Sequence, residues 1–264
     1  MEWLAGYLAI GAVVGFCAGL LGIGGGVIMV PLLVVLFEAQ GIPREHLLRL
    51  AVGSSMATIL FTSLSSVRSH AARGALRWDI VRGITPGILV GGFAGSAIAS
   101  RIPTALFVVL FAVTVFAAAT NMVLERRPRP SRELPSASGL IAIGFLISAI
   151  SAFAAVGGAF LAVPFMLWCN VPMLQAIGTA SAIGVPIALA GSVGFAAIGW
   201  GHAGLPPWSI GYIYLPAMAG VAVASMLLAP LGVAVAHRMP TRRLRQIFAV
   251  LLYAMAARLI VNLW

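Results

Sequence analysis

The sequence predicts an all-α polytopic membrane protein built from two repeats, and three observations support this. Hydrophobic residues make up 61% of the chain and charged residues only 8%, whereas a soluble domain typically carries about a quarter charged residues. The chain divides into apolar segments close to the ~20 residues that cross a bilayer. Two of these segments are interrupted by glycine-rich stretches at corresponding positions.

The first interruption lies at 22–31, which reads GIGGGVIMVP inside an apolar stretch covering 3–37. Glycines are poor helix formers, so a continuous helix is not expected there. A broken helix exposes backbone N–H and C=O groups, and each costs roughly several kcal/mol in lipid unless protein or water receives it. The break is therefore expected inside the protein, at a site.

A second copy of this pattern indicates an internal duplication. Residues 155–164 read AVGGAFLAVP, so Gly157, Gly158 and Pro164 match Gly24, Gly25 and Pro31. Further matches join 51–54 to 176–179, Pro86 to Pro216, and 103–104 to 240–241. The predicted organisation is a first repeat at 1–124, an Arg- and Pro-rich linker at 125–138, and a second repeat at 139–264.

Each repeat is predicted to contain one broken helix followed by three spanning helices. In the first repeat these cover 3–37, about 47–67, 80–100 and 103–124; in the second, 139–168, about 175–199, 208–236 and 244–264. The span at 80–100 carries glycines four residues apart, at Gly83, Gly87, Gly91 and Gly95. This spacing predicts a smooth stripe for close helix packing.

The arginines favour an inverted arrangement of the repeats. All sixteen basic residues are arginine, and most lie at 68–82, 125–138 and 237–245. If every segment crosses the membrane once, the chain has eight spans in two parallel four-helix repeats. The three arginine-rich loops then lie on both sides of the membrane. If both broken stretches are re-entrant hairpins, the loops share one face, predicted to be cytoplasmic, and the repeats are inverted. The eight-span arrangement remains the alternative.

The broken helices predict an anion-binding site at the membrane centre. Half-helices that begin after Gly26 and Gly158 would direct free N–H groups and the positive ends of their dipoles toward that point. Hydroxyls in the following spans can add donors. The predicted substrate-binding residues are Gly24, Gly25, Gly26, Ser54, Ser55, Thr58, Gly157, Gly158, Thr179 and Ser181. The alternative is that the glycines only pack and the hydroxyls bond to their own helices.

Other classes of site find little support. The glycine run does not complete the dinucleotide-binding pattern, since Val27 occupies its last position. Cys17 and Cys169 show no metal-type spacing, so neither a cofactor nor a metal is expected. The basic excess fits topology signals and lipid head groups rather than nucleic acid. No carboxylate lies deep within a span to serve as a proton relay.

At these residues the sequence resembles the TauE/SafE family of bacterial sulfite exporters and sulfonate permeases. The resemblance rests on the glycines from Gly15 to Gly26 leading to Pro31, on 52–55, and on weaker copies at 157–164 and 177–179. It implies an inner-membrane permease for sulfite, sulfoacetate or related organosulfonates, with seven to nine spans from a duplicated unit. The second half departs from the first: Ala155, Ala159 and Ala180 replace Gly22, Gly26 and Ser55.

The leading function hypothesis is therefore a secondary transporter, not an enzyme, that moves a small sulfur-containing oxyanion. Its expected partners are that anion and the lipid bilayer, and a homo-oligomer is left open. The alternatives are a permease for another small anion, and a non-transporting assembly or accessory subunit. An intramembrane enzyme would need a nucleophile and a base at matched depth, for which the sequence offers no pair.

Overall fold

The computed structural model describes residues 3–21, 25–124, 131–155, 158–236 and 241–261, and most of them are helical. The first half contains α1 (Leu4–Leu21), α2 (Gly26–Ala39), α3 (Arg44–Ala71), α4 (Trp78–Arg101) and α5 (Thr104–Leu124). The second half contains α6 (Ala137–Ala154), α7 (Ala159–Trp168), α8 (Met173–Ile198), the short strands β1 (Ser209–Ile210) and β2 (Ile213–Tyr214), α9 (Leu215–Ala236) and α10 (Thr241–Val261).

Four of the described helices are long and apolar enough to cross a membrane. They are Arg44–Ala71, Trp78–Arg101, Thr104–Asn121 within α5, and Met173–Ile198. The 28 residues of α3 give it a length of about 42 Å at ~1.5 Å per residue, which exceeds the ~30 Å hydrocarbon core. The prediction of a nearly all-helical, polytopic membrane protein is confirmed.

Helices α1 and α2 fold back on each other and form what we call the first hairpin (Leu4–Ala39). Gly6, near the start of α1, packs against the side chain of Leu36, near the end of α2. Next to this contact, Gln40 Nε2 donates a 2.6 Å hydrogen bond to the Tyr7 hydroxyl. The end of α2 therefore returns to the level at which α1 begins.

Helices α6 and α7 follow the same path and form the second hairpin (Ala137–Trp168). The backbone N–H groups of Ser131 and Arg132, just before α6, both donate to the Trp168 carbonyl at 3.2 Å. The indole Nε1 of Trp168 also donates to Ser131 Oγ at 2.7 Å. The end of α7 thus lies beside the segment that leads into α6.

Each hairpin packs along a helix of the other half, α1 along α9 and α6 along α4. The residues that meet are, in order, Gly83 with Leu140, Gly87 with Ile141, Gly91 with Phe145 and Gly95 with Ala149. Because both numbers rise together, α4 and α6 are parallel. A Cβ on Gly87 or Gly91 would strike the backbone carbonyl of Ile141 or Phe145, so the predicted stripe is confirmed as a close-packing face.

The centre of the molecule is the pair α3 and α8, which run antiparallel. The contacts that define this direction are Gly53 with Phe195, Met56 with Gly191, and Ser66 with Ser181. These two helices occupy the same place in their own halves of the chain. On another face, α5 packs against α10, where Thr120 Oγ1 and the Tyr253 hydroxyl lie 2.6 Å apart.

The predicted span at 208–236 is wrong over its first seven residues, which form a β-hairpin instead of a helix. Ser209 pairs with Tyr214 and Ile210 with Ile213, and α9 begins only at Leu215. Trp208 and Gly211 have φ angles of 69° and 54°, which no right-handed helix accommodates. Gly211 permits the tight turn between the strands. The segment is apolar enough to resemble a helix, but its backbone docks against the end of α8.

Candidate functional site

The tips of the two hairpins meet. Gly26, the first residue of α2, lies so close to Ala155 at the second tip that a Cβ on Gly26 would strike the Ala155 carbonyl. The same Cβ would lie 2.8 Å from Ile59 Cδ1 on α3. On the other side, Gly158 packs against Ile187 of α8. The two breaks and the central helix pair therefore share one region.

The return helices α2 and α7 both begin without a side-chain cap. Their N-cap residues are Gly25 and Gly158, and among the described residues no side-chain cap hydrogen bond is made at either helix start. The first-turn N–H groups of a helix need external acceptors, and they carry the positive end of the helix dipole. Such ends bind anions without a buried cation. None of the ten predicted site residues has an ionisable side chain.

The two tips use glycine for different reasons. Gly25 has an ordinary right-handed backbone with φ −66°, but a Cβ there would strike Val14 Cγ1 of α1. The second tip is left-handed, with φ 47° at Ala155 and 71° at Gly158. The first tip thus needs glycine for close approach alone, whereas Gly158 at the second tip combines a left-handed backbone with close approach to the end of the Ile187 side chain.

Ser54 and Thr179 form matching hydrogen bonds between the halves. Ser54 Oγ accepts the Tyr214 N–H at 2.9 Å, and Thr179 Oγ1 accepts the Arg77 N–H at 3.0 Å. Both donors lie in the segments that lead into α9 and α4. Each hydroxyl therefore anchors the connection to a neighbouring helix, a structural role that the sequence did not indicate.

The other predicted hydroxyls divide into two groups. Thr58 Oγ1 donates to the Ser54 carbonyl at 2.9 Å, and Ser181 Oγ donates to the Ile177 carbonyl at 3.1 Å, both within their own helices. Ser55 is fully buried and its hydroxyl has no partner among the described residues. Of the predicted glycines, Gly24 and Gly157 lie outside the described residues.

Comparison with known proteins decides the family. The family model for the sulfite exporter TauE/SafE matches residues 7–259. The chain belongs to the TauE/SafE family. The resemblance predicted from the glycine motifs is confirmed, and the match extends from α1 into α10. No solved structure matches this TauE/SafE chain.

Relatives of this TauE/SafE protein carry transporter names. A probable membrane transporter protein of Haemophilus influenzae is 34% identical over 257 residues, covering 97% of each chain. One from Methanocaldococcus jannaschii is 24% identical over 254 residues, covering 94% of this chain and 92% of its own. One from Bacillus subtilis is 28% identical over 194 residues, covering 69% and 74%. The chain is thus a multi-pass membrane protein of a transporter family.

Two further buried hydroxyls of this TauE/SafE chain lie on α6, in the second hairpin, and are not among the predicted site residues. Ser148 and Ser151 of α6 are 1% and 0% exposed, and neither Oγ has a partner among the described residues. Ser148 Oγ lies 2.9 Å from the position a Cβ would take on Gly92. In the sequence they are two serines three residues apart in an apolar helix. Comparison of the repeats does not indicate a site at these serines, because the matching positions in α1 are Gly15 and Ala18.

Proposed function

We propose that this protein is a secondary transporter that moves a small sulfur-containing oxyanion, such as sulfite, sulfoacetate or another organosulfonate. The observation that carries the proposal is the meeting of the two hairpin tips, where α2 and α7 begin with uncapped N–H groups. Sulfite and sulfonate oxygens accept several hydrogen bonds at once. Fixed N–H dipoles at this point offset the cost of removing water from the anion.

The proposal includes two inverted repeats, each with one re-entrant hairpin and three spanning helices. Two observations support the inverted arrangement. Helices α3 and α8, which correspond in sequence, run antiparallel. Both hairpins also return to the level at which they start. In such an arrangement 68–82, 125–138 and 237–245 share one face, the cytoplasmic face of the inner membrane by the positive-inside rule. Rocking of one half against the other about the tips would expose the anion alternately to each side.

Uptake into proteoliposomes tests the function directly. Purified protein is reconstituted, and entry of radiolabelled sulfite is measured with sulfoacetate, methanesulfonate, chloride and phosphate as competitors. We expect protein-dependent sulfite uptake that the organosulfonates inhibit and the other anions leave unchanged. Uptake no greater than in empty liposomes for sulfite and for labelled organosulfonates would contradict the proposal.

The site itself is tested by Gly25→Leu, which places a bulky side chain at the N-cap of α2, between this helix start and α1. The Val14→Ala/Gly25→Leu double variant removes the Val14 Cγ1 atom that a Cβ on residue 25 would strike, and Val14→Ala alone is the matched control. We expect the single and double Gly25→Leu variants to lose at least about tenfold in uptake, the worth of one hydrogen bond to a charged group. If the double variant transports like the control, Gly25 serves only packing and the site is wrongly placed.

A further inference from the structure

Three buried hydroxyls within the described helices stand out because they have no hydrogen-bond partner among the described residues; a fourth, that of Ser209, lies in β1. The three are those of Ser55 of α3 and Ser148 and Ser151 of α6, each at most 1% exposed. Serines in apolar helices usually donate to a carbonyl one turn earlier, as Ser192 does to Ala188 at 2.6 Å. A buried hydroxyl without such a bond is unfavourable and calls for an explanation.

Two of these hydroxyls flank the point where the hairpin tips meet. Ser55 lies one helical turn before Ile59, and Ser151 lies one turn before Ala155; residues four apart share a helix face. Ile59 and Ala155 are the two residues that Gly26 contacts. Helices α3 and α6 are themselves in contact. The hydroxyls thus approach the start of α2 from both halves of the chain.

The three hydroxyls lie on only one member of each pair of matching helices, on α3 rather than α8 and on α6 rather than α1. The matching positions in the other half are Ala180 for Ser55, Gly15 for Ser148 and Ala18 for Ser151, and none has a side-chain donor. Ala18 lies against the first tip, because its Cβ would be 3.4 Å from a Cβ on Gly25. A ligand between the tips would therefore meet an asymmetric lining, with hydroxyls from α3 and α6 and none from the matching positions of α8 and α1.

We propose that Ser55, Ser148 and Ser151 are substrate-binding residues that donate to the oxygens of the transported anion from one side. The proposal rests on the proposed function and narrows its substrate class. An anion with oxygens on one face and a carbon or lone pair on the other, as in sulfonates and sulfite, matches this lining. Sulfate carries oxygens in all four directions and would place one against the side that has no hydroxyl donor, so we expect sulfate to bind more weakly.

The test measures Kd for sulfite, methanesulfonate and sulfate on detergent-purified protein, and sulfite uptake in proteoliposomes. The variants are Ser55→Ala, Ser148→Ala and Ser151→Ala, and Ser192→Ala is the matched control because its buried hydroxyl is already bonded. We expect each of the three variants to raise the Kd for sulfite about tenfold or more, and the control less than twofold. Wild-type protein should bind sulfate at least tenfold more weakly than methanesulfonate.

Stability separates a binding role from a structural one. Replacing a hydroxyl without a partner should leave the melting temperature of the ligand-free protein unchanged or higher, while affinity falls. A lower melting temperature with unchanged Kd would assign these serines to packing and overturn the inference. The Ser55→Ala/Ala180→Ser variant moves one hydroxyl to the opposite side, and recovery of wild-type affinity would overturn the one-sided arrangement.

The two proposals fail in different ways. If wild-type protein binds and transports sulfite but the three variants behave like Ser192→Ala, this inference is wrong and the proposed function stands. If wild-type protein neither binds nor transports any sulfur oxyanion, the proposed function itself is contradicted.

Discussion

The two helical hairpins follow the same path but obtain their close packing from different helices. In the first, glycines stand on the hairpin, where Gly11 and Gly15 pack on the backbone of α9. In the second, they stand mainly on the partner, where Gly87 and Gly91 of α4 pack on the backbone of α6. What the two halves share is the close approach of two backbones, and either helix can provide it. Sequence matching between halves therefore underestimates their structural similarity.

The tips differ as well, and this difference concerns the site. The return helix α2 has 14 residues and begins after a right-handed Gly25, whereas α7 has 10 residues and begins after a left-handed Gly158. The unbonded hydroxyls belong to α3 and α6 and have no counterparts in α8 and α1. The two halves thus share helix starts with a glycine N-cap, while the unbonded serines of the described spanning helices and helical hairpins lie on α3 and α6.

The largest expected effect is the loss of stability on substituting the tip glycines, which should differ between the two tips. Gly26→Ala should destabilise the protein by about 3 kcal/mol or more, because its Cβ strikes the Ala155 backbone, which cannot move without parting the hairpins. Gly158→Ala should cost only about 1–2 kcal/mol, since it strains a left-handed residue and meets the movable end of Ile187. Thermal unfolding in detergent measures both. Equal costs would show that the tips are equivalent, and a reversed order would contradict the tighter backbone contact at Gly26.

A smaller loss of stability is expected when the hydroxyl that anchors a helix connection is removed, and it should be the same in both halves. Ser54→Ala and Thr179→Val each remove the acceptor of a backbone N–H, that of Tyr214 or Arg77. We expect each to lower the free energy of unfolding by about 1–3 kcal/mol, measured by thermal unfolding. Thr179→Ser keeps the hydroxyl and should cost less than about 1 kcal/mol. A clear difference between Ser54→Ala and Thr179→Val would show that the matching bonds are not energetically equivalent.

The smallest effect concerns the open end of the first hairpin. Arg258 of α10 donates to Glu38 of α2 at 3.2 Å, and the arginine side chain is about half exposed. Exposed ion pairs contribute about 0–1 kcal/mol and weaken in salt. Glu38→Gln should therefore shift the melting temperature slightly at low salt and not at all in 1 M salt, a concentration at which the screening length is about 3 Å. A large loss that persists in salt would assign this contact a role in holding the hairpin closed.

The structural roles of the predicted site residues depend on contacts between residues distant in sequence. Ser54, which is predicted to bind substrate, also accepts a hydrogen bond from Tyr214, 160 positions away. Ser148 and Ser151 went unnoticed because nothing local marks a serine whose hydroxyl remains unbonded after the helices pack. The strand before α9 was mistaken for helix because its apolar residues suit both structures.

The sequence alone determined the membrane class, the two helix breaks and the glycine face of α4. These features follow from composition and from local backbone preferences, which act within one or two helical turns. Only the tertiary structure decided that the hairpin tips meet at Gly26 and Ala155, and which hydroxyls become anchors and which remain unbonded. Those outcomes depend on how helices from opposite ends of the chain pack against each other, because a hydrogen-bond partner is defined only once both helices are in place.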